Sequence, residues 1–176
     1  MSDSRSIAVL GLGAMGHAFA ANLLQAGFDV AVWNRSPGKA DDLAEGGAKV
    51  AESPADAVGQ ADAVITMLPD ITVTRDVLLG DSGALAAMPV GATLIQMGTL
   101  GVAETDRLIA EVGEVRDDVV FIDAPVSGTK APAEQGKITI LAGGDRDRAG
   151  EIVEPIFEVL GTQTHWLGQA GQGARM

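Results

Sequence analysis

The run Gly11-Leu12-Gly13-Ala14-Met15-Gly16 spaces its glycines so that backbone N–H groups can be brought against an anion. In such a run the first glycine permits a tight turn. The second leaves the backbone open to close approach, and the third lets a helix lie against a strand. Alone, the pattern is weak, because glycine is frequent in this chain at 23 residues. Its context makes it specific. An apolar run at 7–10 precedes it directly, and a helical pattern over about 15–26 follows it. Strand, glycine turn and helix in that order place a pyrophosphate at a helix N-terminus, which is the fingerprint of dinucleotide binding.

The end of the second strand decides between dinucleotides. A domain for NAD usually carries Asp or Glu there, accepting bonds from the ribose hydroxyls. This chain has Trp33-Asn34-Arg35-Ser36, with Lys39 close behind. Asn34 is neutral and does not repel a 2′-phosphate. Arg35 can stack on adenine and pair with the phosphate in a fork, and Ser36 and Lys39 add donors. NADP(H) is therefore expected in preference to NAD(H). Met67, Leu68 and Pro69 close the fourth strand, whose end should line the same crevice.

Candidates for proton transfer are few. There is no Cys and no Tyr, and His17 and His165 are the only histidines, which argues against thiolate chemistry and metal centres. His17 falls in the first helical turn and is expected to face solvent. His165 sits on a closing strand and reads as structural. Asp123, at a strand end before Pro125, reads as an acceptor that fixes a loop. No Lys or His is well placed as a general base for hydride-transfer chemistry, and Asp123 could serve as one only if it did not fix the loop.

Alternating apolar runs and helical stripes must position these residues. Strands are expected at 7–10, 30–33, 49–51, 63–67, 93–96 and 119–122, with helices between them, one of them over 37–45. Ser53 and Asp70 are placed to cap helices, with Pro54 at a first helical position. A strand at 137–142 follows a connection too short for a full helical crossover, so it should pair antiparallel or lie at an edge. Asp145 then caps a helix with an internal Pro155, and 162–166 is a last strand. The fold class is α/β, a Rossmann-type doubly wound, mainly parallel sheet with an extra partly antiparallel edge. Residues 1–167 form the dinucleotide-binding domain, and 168–176 is a Gly-rich segment leading out of it.

Composition agrees. Hydrophobic residues make up 47% and aromatics 3%, so the core is aliphatic. The net charge of −12, spread evenly, disfavours nucleic acid and anionic lipid as partners. The first six residues are polar with no apolar run behind a basic start, and no apolar run reaches membrane-spanning length. The expected location is the cytoplasm.

Three ordered motifs resemble the β-hydroxyacid dehydrogenases, the group of 3-hydroxyisobutyrate, tartronate semialdehyde and 6-phosphogluconate dehydrogenases. The first runs from GLGAMG to AANLLQAGFDVAVWNRSPGKA. The second is Asp123-Ala124-Pro125-Val126-Ser127-Gly128-Thr129 with Ala133 and Gly136. The third is Gly168 to Gly173. The resemblance implies that Ser127 and Gly128 hold a substrate carboxylate and that Thr99 lies beside nicotinamide and substrate. It also implies a small carboxylate-bearing substrate and a homodimer in the full-length protein. Thr129 replaces the family's second Gly, implying a narrower pocket, and Met97-Gly98-Thr99 departs from the family's D-x-S-T-like run. The family's catalytic Lys and its all-helical domain would follow Met176, so this chain by itself is expected to lack the catalytic residue and dehydrogenase activity. A related group, the imine reductases, shares the cofactor domain and is the alternative reading. An NADPH-binding scaffold without turnover is another. The Ser-Gly pair favours the hydroxyacid reading.

Overall fold

The computed structural model describes residues 5–176, and residues 1–4 of the polar start lie outside the described residues. Six parallel strands form the main sheet: β1 (Ser6–Leu10), β2 (Asp29–Trp33), β3 (Lys49–Val50), β4 (Ala63–Thr66), β5 (Thr93–Gln96) and β6 (Val120–Asp123). Their spatial order is β3-β2-β1-β4-β5-β6. The chain winds outward from β1 in one direction, returns, and continues from β4 in the other, so a crevice opens at the carboxyl ends of β1 and β4.

Alternation within the strands divides the core between the two faces. Ile7, Val9, Ala63, Ile65 and Ile95 pack into one cluster, while Ala8, Leu10, Val64 and Leu94 pack into the other. The first face is covered by α1 (Ala14–Gln25) through Phe19 and Leu23. On the same side lie α2 (Asp41–Glu45) and, later in the chain, two further helices described below. The opposite face is covered by α3 (Pro54–Val58), α4 (Ile71–Leu79), α5 (Ala84–Ala87) and α6 (Val102–Val115). Ser53 accepts from the Asp56 N–H and Asp70 from the Val73 N–H, as their cap positions require.

The chain after β6 builds a second, three-stranded sheet. It contains β7 (Val126–Ser127), β8 (Ile138–Ala142) and β9 (Gly161–Trp166) in that order, with α7 (Lys130–Glu134) and α8 (Arg146–Leu160) between them. The expected antiparallel pairing is made between β7 and β8, while β8 pairs parallel with β9. An isolated antiparallel bridge, Asp123 to Gly143, joins this unit to the end of β6. Asp145 caps α8 by accepting from Arg148 N–H, and Ala149, Val153, Ile156, Phe157 and Leu160 are its buried stripe.

One helix differs from expectation. Residues 37–40 form a turn, and α2 begins only at Asp41. Gly38 takes a left-handed φ of 84°, which breaks the first turn of the expected helix. Among the described residues no helix is long and apolar enough to cross a membrane.

Candidate functional site

At the end of β1 the chain turns sharply. Gly11 has φ 100°, and its N–H donates to the Trp33 carbonyl at 2.9 Å. A Cβ on Gly11 would collide with the Met67 carbonyl, and one on Gly16 with the Gly11 carbonyl. Both glycines are thus required for α1 to start against the sheet. Gly13 differs: it is the N-cap of α1, with extended backbone and no side-chain cap, and a Cβ there would meet nothing within 4 Å. That open space belongs to a cleft of about 520 Å³. Gly11, Leu12, Gly13, Ala14, Met15 and Gly16 form one wall, Asn34 and Lys39 stand on the β2 side, and Met67, Leu68, Pro69, Gly98 and Thr99 form the β4–β5 side. The donors left free at the start of α1 and the empty space over Gly13 fit a pyrophosphate.

Asn34 does more than stay neutral. Its Oδ1 accepts from Leu12 N–H at 2.9 Å and its Nδ2 donates to the Ser36 carbonyl at 3.1 Å. The side chain therefore joins the glycine turn to the segment carrying Arg35, Ser36 and Lys39. Those three residues are exposed. Arg35 and Lys39 form no ion pair among the described residues, whereas Arg75, Arg116, Arg146 and Arg175 are each paired with a carboxylate. Of these two cations, Lys39 reaches the cleft lining and Arg35 stands outside it. His17 is not simply exposed, as its place in the first turn suggested. It is one-third exposed, and its Nε2 contacts both Asp42 oxygens, at 2.9 and 2.8 Å.

Thr99 is exposed at the mouth of the cleft. Sequence reasoning missed what holds it there. Buried Gln96 accepts from Thr66 Oγ1 at 3.0 Å and from Gly98 N–H at 3.1 Å, and its amide donates to the Gly98 carbonyl at 2.8 Å. The available signal was a Gln ending an apolar strand, since a buried amide must find partners.

The expected substrate residues lie elsewhere. Ser127 ends β7, and Gly128 and Thr129 follow in an exposed turn outside the cleft lining. Gly128 has φ 144°, and a Cβ on it would press on Ile138. Asp123 is 2% exposed and accepts from Gly171 N–H at 2.6 Å and Ala174 N–H at 2.9 Å. Burial pushes its carboxyl above the ordinary value, and those backbone N–H groups oppose the rise. It fixes the Gly-rich segment, as its position before Pro125 suggested. Arg175 adds a fork onto Asp106 at 3.0 and 2.6 Å. His165 is exposed on β9, away from the cleft. The cleft lining has no Asp, Glu, His or Tyr, and Lys39 is its one ionisable side chain. Among the described residues no acidic, His or Cys cluster could hold a metal.

Sheet order, glycine turn and cleft together define a Rossmann-type dinucleotide-binding domain. Residues 6–168 match the family described as the NAD binding domain of 6-phosphogluconate dehydrogenase. The chain belongs to that family, the nicotinamide-dinucleotide-binding domain of the β-hydroxyacid dehydrogenases. It is similar to glyoxylate/succinic semialdehyde reductase 1 of Arabidopsis thaliana, 42% identical over 97% of this chain and 58% of that protein. Among solved structures, 3-hydroxyisobutyrate dehydrogenase of Mycobacterium tuberculosis superposes with a TM-score of 0.89 at 32% identity, over 97% of this chain and 57% of that one. An imine reductase from Pseudomonas sp. superposes at 0.82 and 30%, over 97% and 58%. The chain thus spans little more than half the length of these relatives.

Proposed function

We propose that the cleft binds NADP(H) in preference to NAD(H), for reduction or oxidation of a small carboxylate-bearing substrate such as a β-hydroxyacid or the corresponding carbonyl acid. The observation that carries the preference is that two cations, Arg35 and Lys39, stand beside neutral Asn34 with no ion pair among the described residues, in a chain with twice as many acidic as basic residues. An acid at the end of β2, which NAD domains use, is absent from this sequence. When bound, the nicotinamide supplies or accepts the hydride. The chain's own part is to seat the pyrophosphate over Gly13, hold the 2′-phosphate with Arg35, Ser36 and Lys39, and leave the β4–β5 side of the cleft, with Thr99, for the nicotinamide end. Glyoxylate and succinic semialdehyde, named for the Arabidopsis relative, are the first substrates to try. Ser127 and Gly128 are assigned to the substrate carboxylate, which favours this reading over imine reduction, the activity named for the Pseudomonas structure.

Loss of a charged 2′-phosphate pairing costs about 1.5–3 kcal/mol, or roughly tenfold and more in affinity. Calorimetric titration of the chain with NADPH and NADH tests the preference. The expected result is NADPH tighter by at least about tenfold, with Arg35→Ala removing most of that difference. Equal affinities, or tighter NADH, overturn it.

A further inference from the structure

The geometry points to His17 and Asp42 as a positioning pair that sets the NADPH preference, an inference that rests on the reading of Arg35 and Lys39 given above. His17 belongs to α1, one turn beyond Gly13, whose carbonyl its own N–H bonds at 2.9 Å. Asp42 belongs to the first turn of α2. Between Asn34 and Asp42 runs the segment that carries Arg35, Ser36 and Lys39. Asn34 anchors its start to Leu12 at 2.9 Å, and His17 anchors its far end by contacting both oxygens of Asp42, at 2.9 and 2.8 Å. Both anchors lie on the same glycine turn and helix, so the segment is strung between two fixed points beside the cleft. Gly38, with φ 84°, makes it a turn rather than a helix, and the side chains of Arg35 and Lys39 have no partner of their own among the described residues. Their reach toward a 2′-phosphate therefore depends on these anchors.

The pair also governs charge. Asp41 and Asp42 open α2 next to the place proposed for a phosphate dianion. The His17 hydrogen bond holds the Asp42 carboxyl below its ordinary value and engages both of its oxygens. Lost contact with His17 leaves that carboxylate free to repel a 2′-phosphate or to capture Lys39. NADH, which lacks the 2′-phosphate, feels neither effect.

A solvent-accessible side-chain contact of this kind contributes little to stability, so the effect belongs to ligand selection rather than to folding. The test is the ratio of NADPH to NADH affinity, measured by calorimetry for the parent chain, His17→Ala, Asp42→Ala and His17→Gln. His17→Ala should weaken NADPH by about two- to fivefold while moving NADH by less than about twofold. His17→Gln keeps an N–H donor for Asp42 and should restore most of the parent ratio. Asp42→Ala frees the segment but also removes the repelling charge, so it should lower the ratio by less than His17→Ala does, and it gives an independent reading should His17→Ala fail to fold. A parent that prefers NADPH, with the ratio unchanged in both alanine variants, overturns the pair while leaving the preference intact. Equal losses for both dinucleotides overturn it too, since they mark a general structural role. A parent without preference overturns the reading of Arg35 and Lys39, and this inference with it.

Discussion

Gly13 carries the most local claim in this account. A Cβ at Gly13 meets no protein atom within 4 Å, so the missing side chain matters to a ligand more than to the fold. Gly13→Val should therefore leave the domain folded, at a cost up to about 1 kcal/mol for a poorer N-cap residue. It should weaken either dinucleotide by well over about tenfold, because the branched side chain occupies the pyrophosphate position. Circular dichroism and a cofactor titration check the two halves of that statement, and near-parent affinity would mean the phosphates lie elsewhere. At this scale the site was largely legible in the amino-acid sequence. Glycine spacing is a backbone property, and the backbone obeyed it: Gly11 in a left-handed turn, Gly16 against the Gly11 carbonyl. What could not be read were side-chain partners across the chain. The links from Asn34 to Leu12, His17 to Asp42 and Gln96 to Thr66 depend on which segments end up adjacent.

Among the elements, most of those expected are present, and the ones not anticipated are short. β5 at Thr93–Gln96 and α4 behind its Asp70 cap fall where the pattern put them. The short helices α5 and α7 and the two-residue strand β7 were not anticipated, since a few residues give too little period to recognise. Tertiary contacts stabilise such pieces instead. Arg116 shows how: its guanidinium donates to the carbonyls of Leu85 and Met88, at 3.0 and 3.1 Å, and forks onto Asp118. Asp118 in turn accepts from Gly91 N–H at 2.9 Å, so α5 and its exit are tied to the start of β6. Arg116 beside it holds the Asp118 carboxyl far below its ordinary value of 3.8. The folded state therefore binds the proton less readily than the unfolded state. The resulting stabilisation is present above the unfolded value and is lost as pH falls through and below it. Asp118→Asn should lower the melting temperature at neutral pH and flatten its decline under acid conditions. A parallel decline in parent and variant would show that this clamp contributes nothing to acid sensitivity.

At the scale of the whole molecule, the cleft and the Ser127 turn fall in different sheets. The main sheet and its cleft hold every residue proposed for the dinucleotide except Arg35 and Ser36, which stand just outside its lining. The Ser127 turn and the Asp123-anchored Gly-rich segment belong to the second unit beyond β6. That second unit was only half legible. Antiparallel pairing followed from the short connection, but the parallel pairing of β8 with β9 needs α8 to cross over, and neither strand's partner is written in its own residues. Since the cleft lining offers no ionisable group but Lys39, on the β2 side, the 176-residue chain should bind cofactor yet turn over little substrate. A missing general base alone costs on the order of 10²–10⁴-fold in rate. Steady-state assays of NADPH oxidation with small carbonyl acids check this, and rates ordinary for a dehydrogenase would require a base within these residues. The central claim is most directly tested by a crystal structure of the chain with NADP bound. The pyrophosphate is expected against the backbone N–H groups at Gly13 and Ala14, and the 2′-phosphate within hydrogen-bonding distance of the Arg35 guanidinium. A pyrophosphate away from the start of α1, or a 2′-phosphate in solvent with Arg35 turned aside, would contradict it.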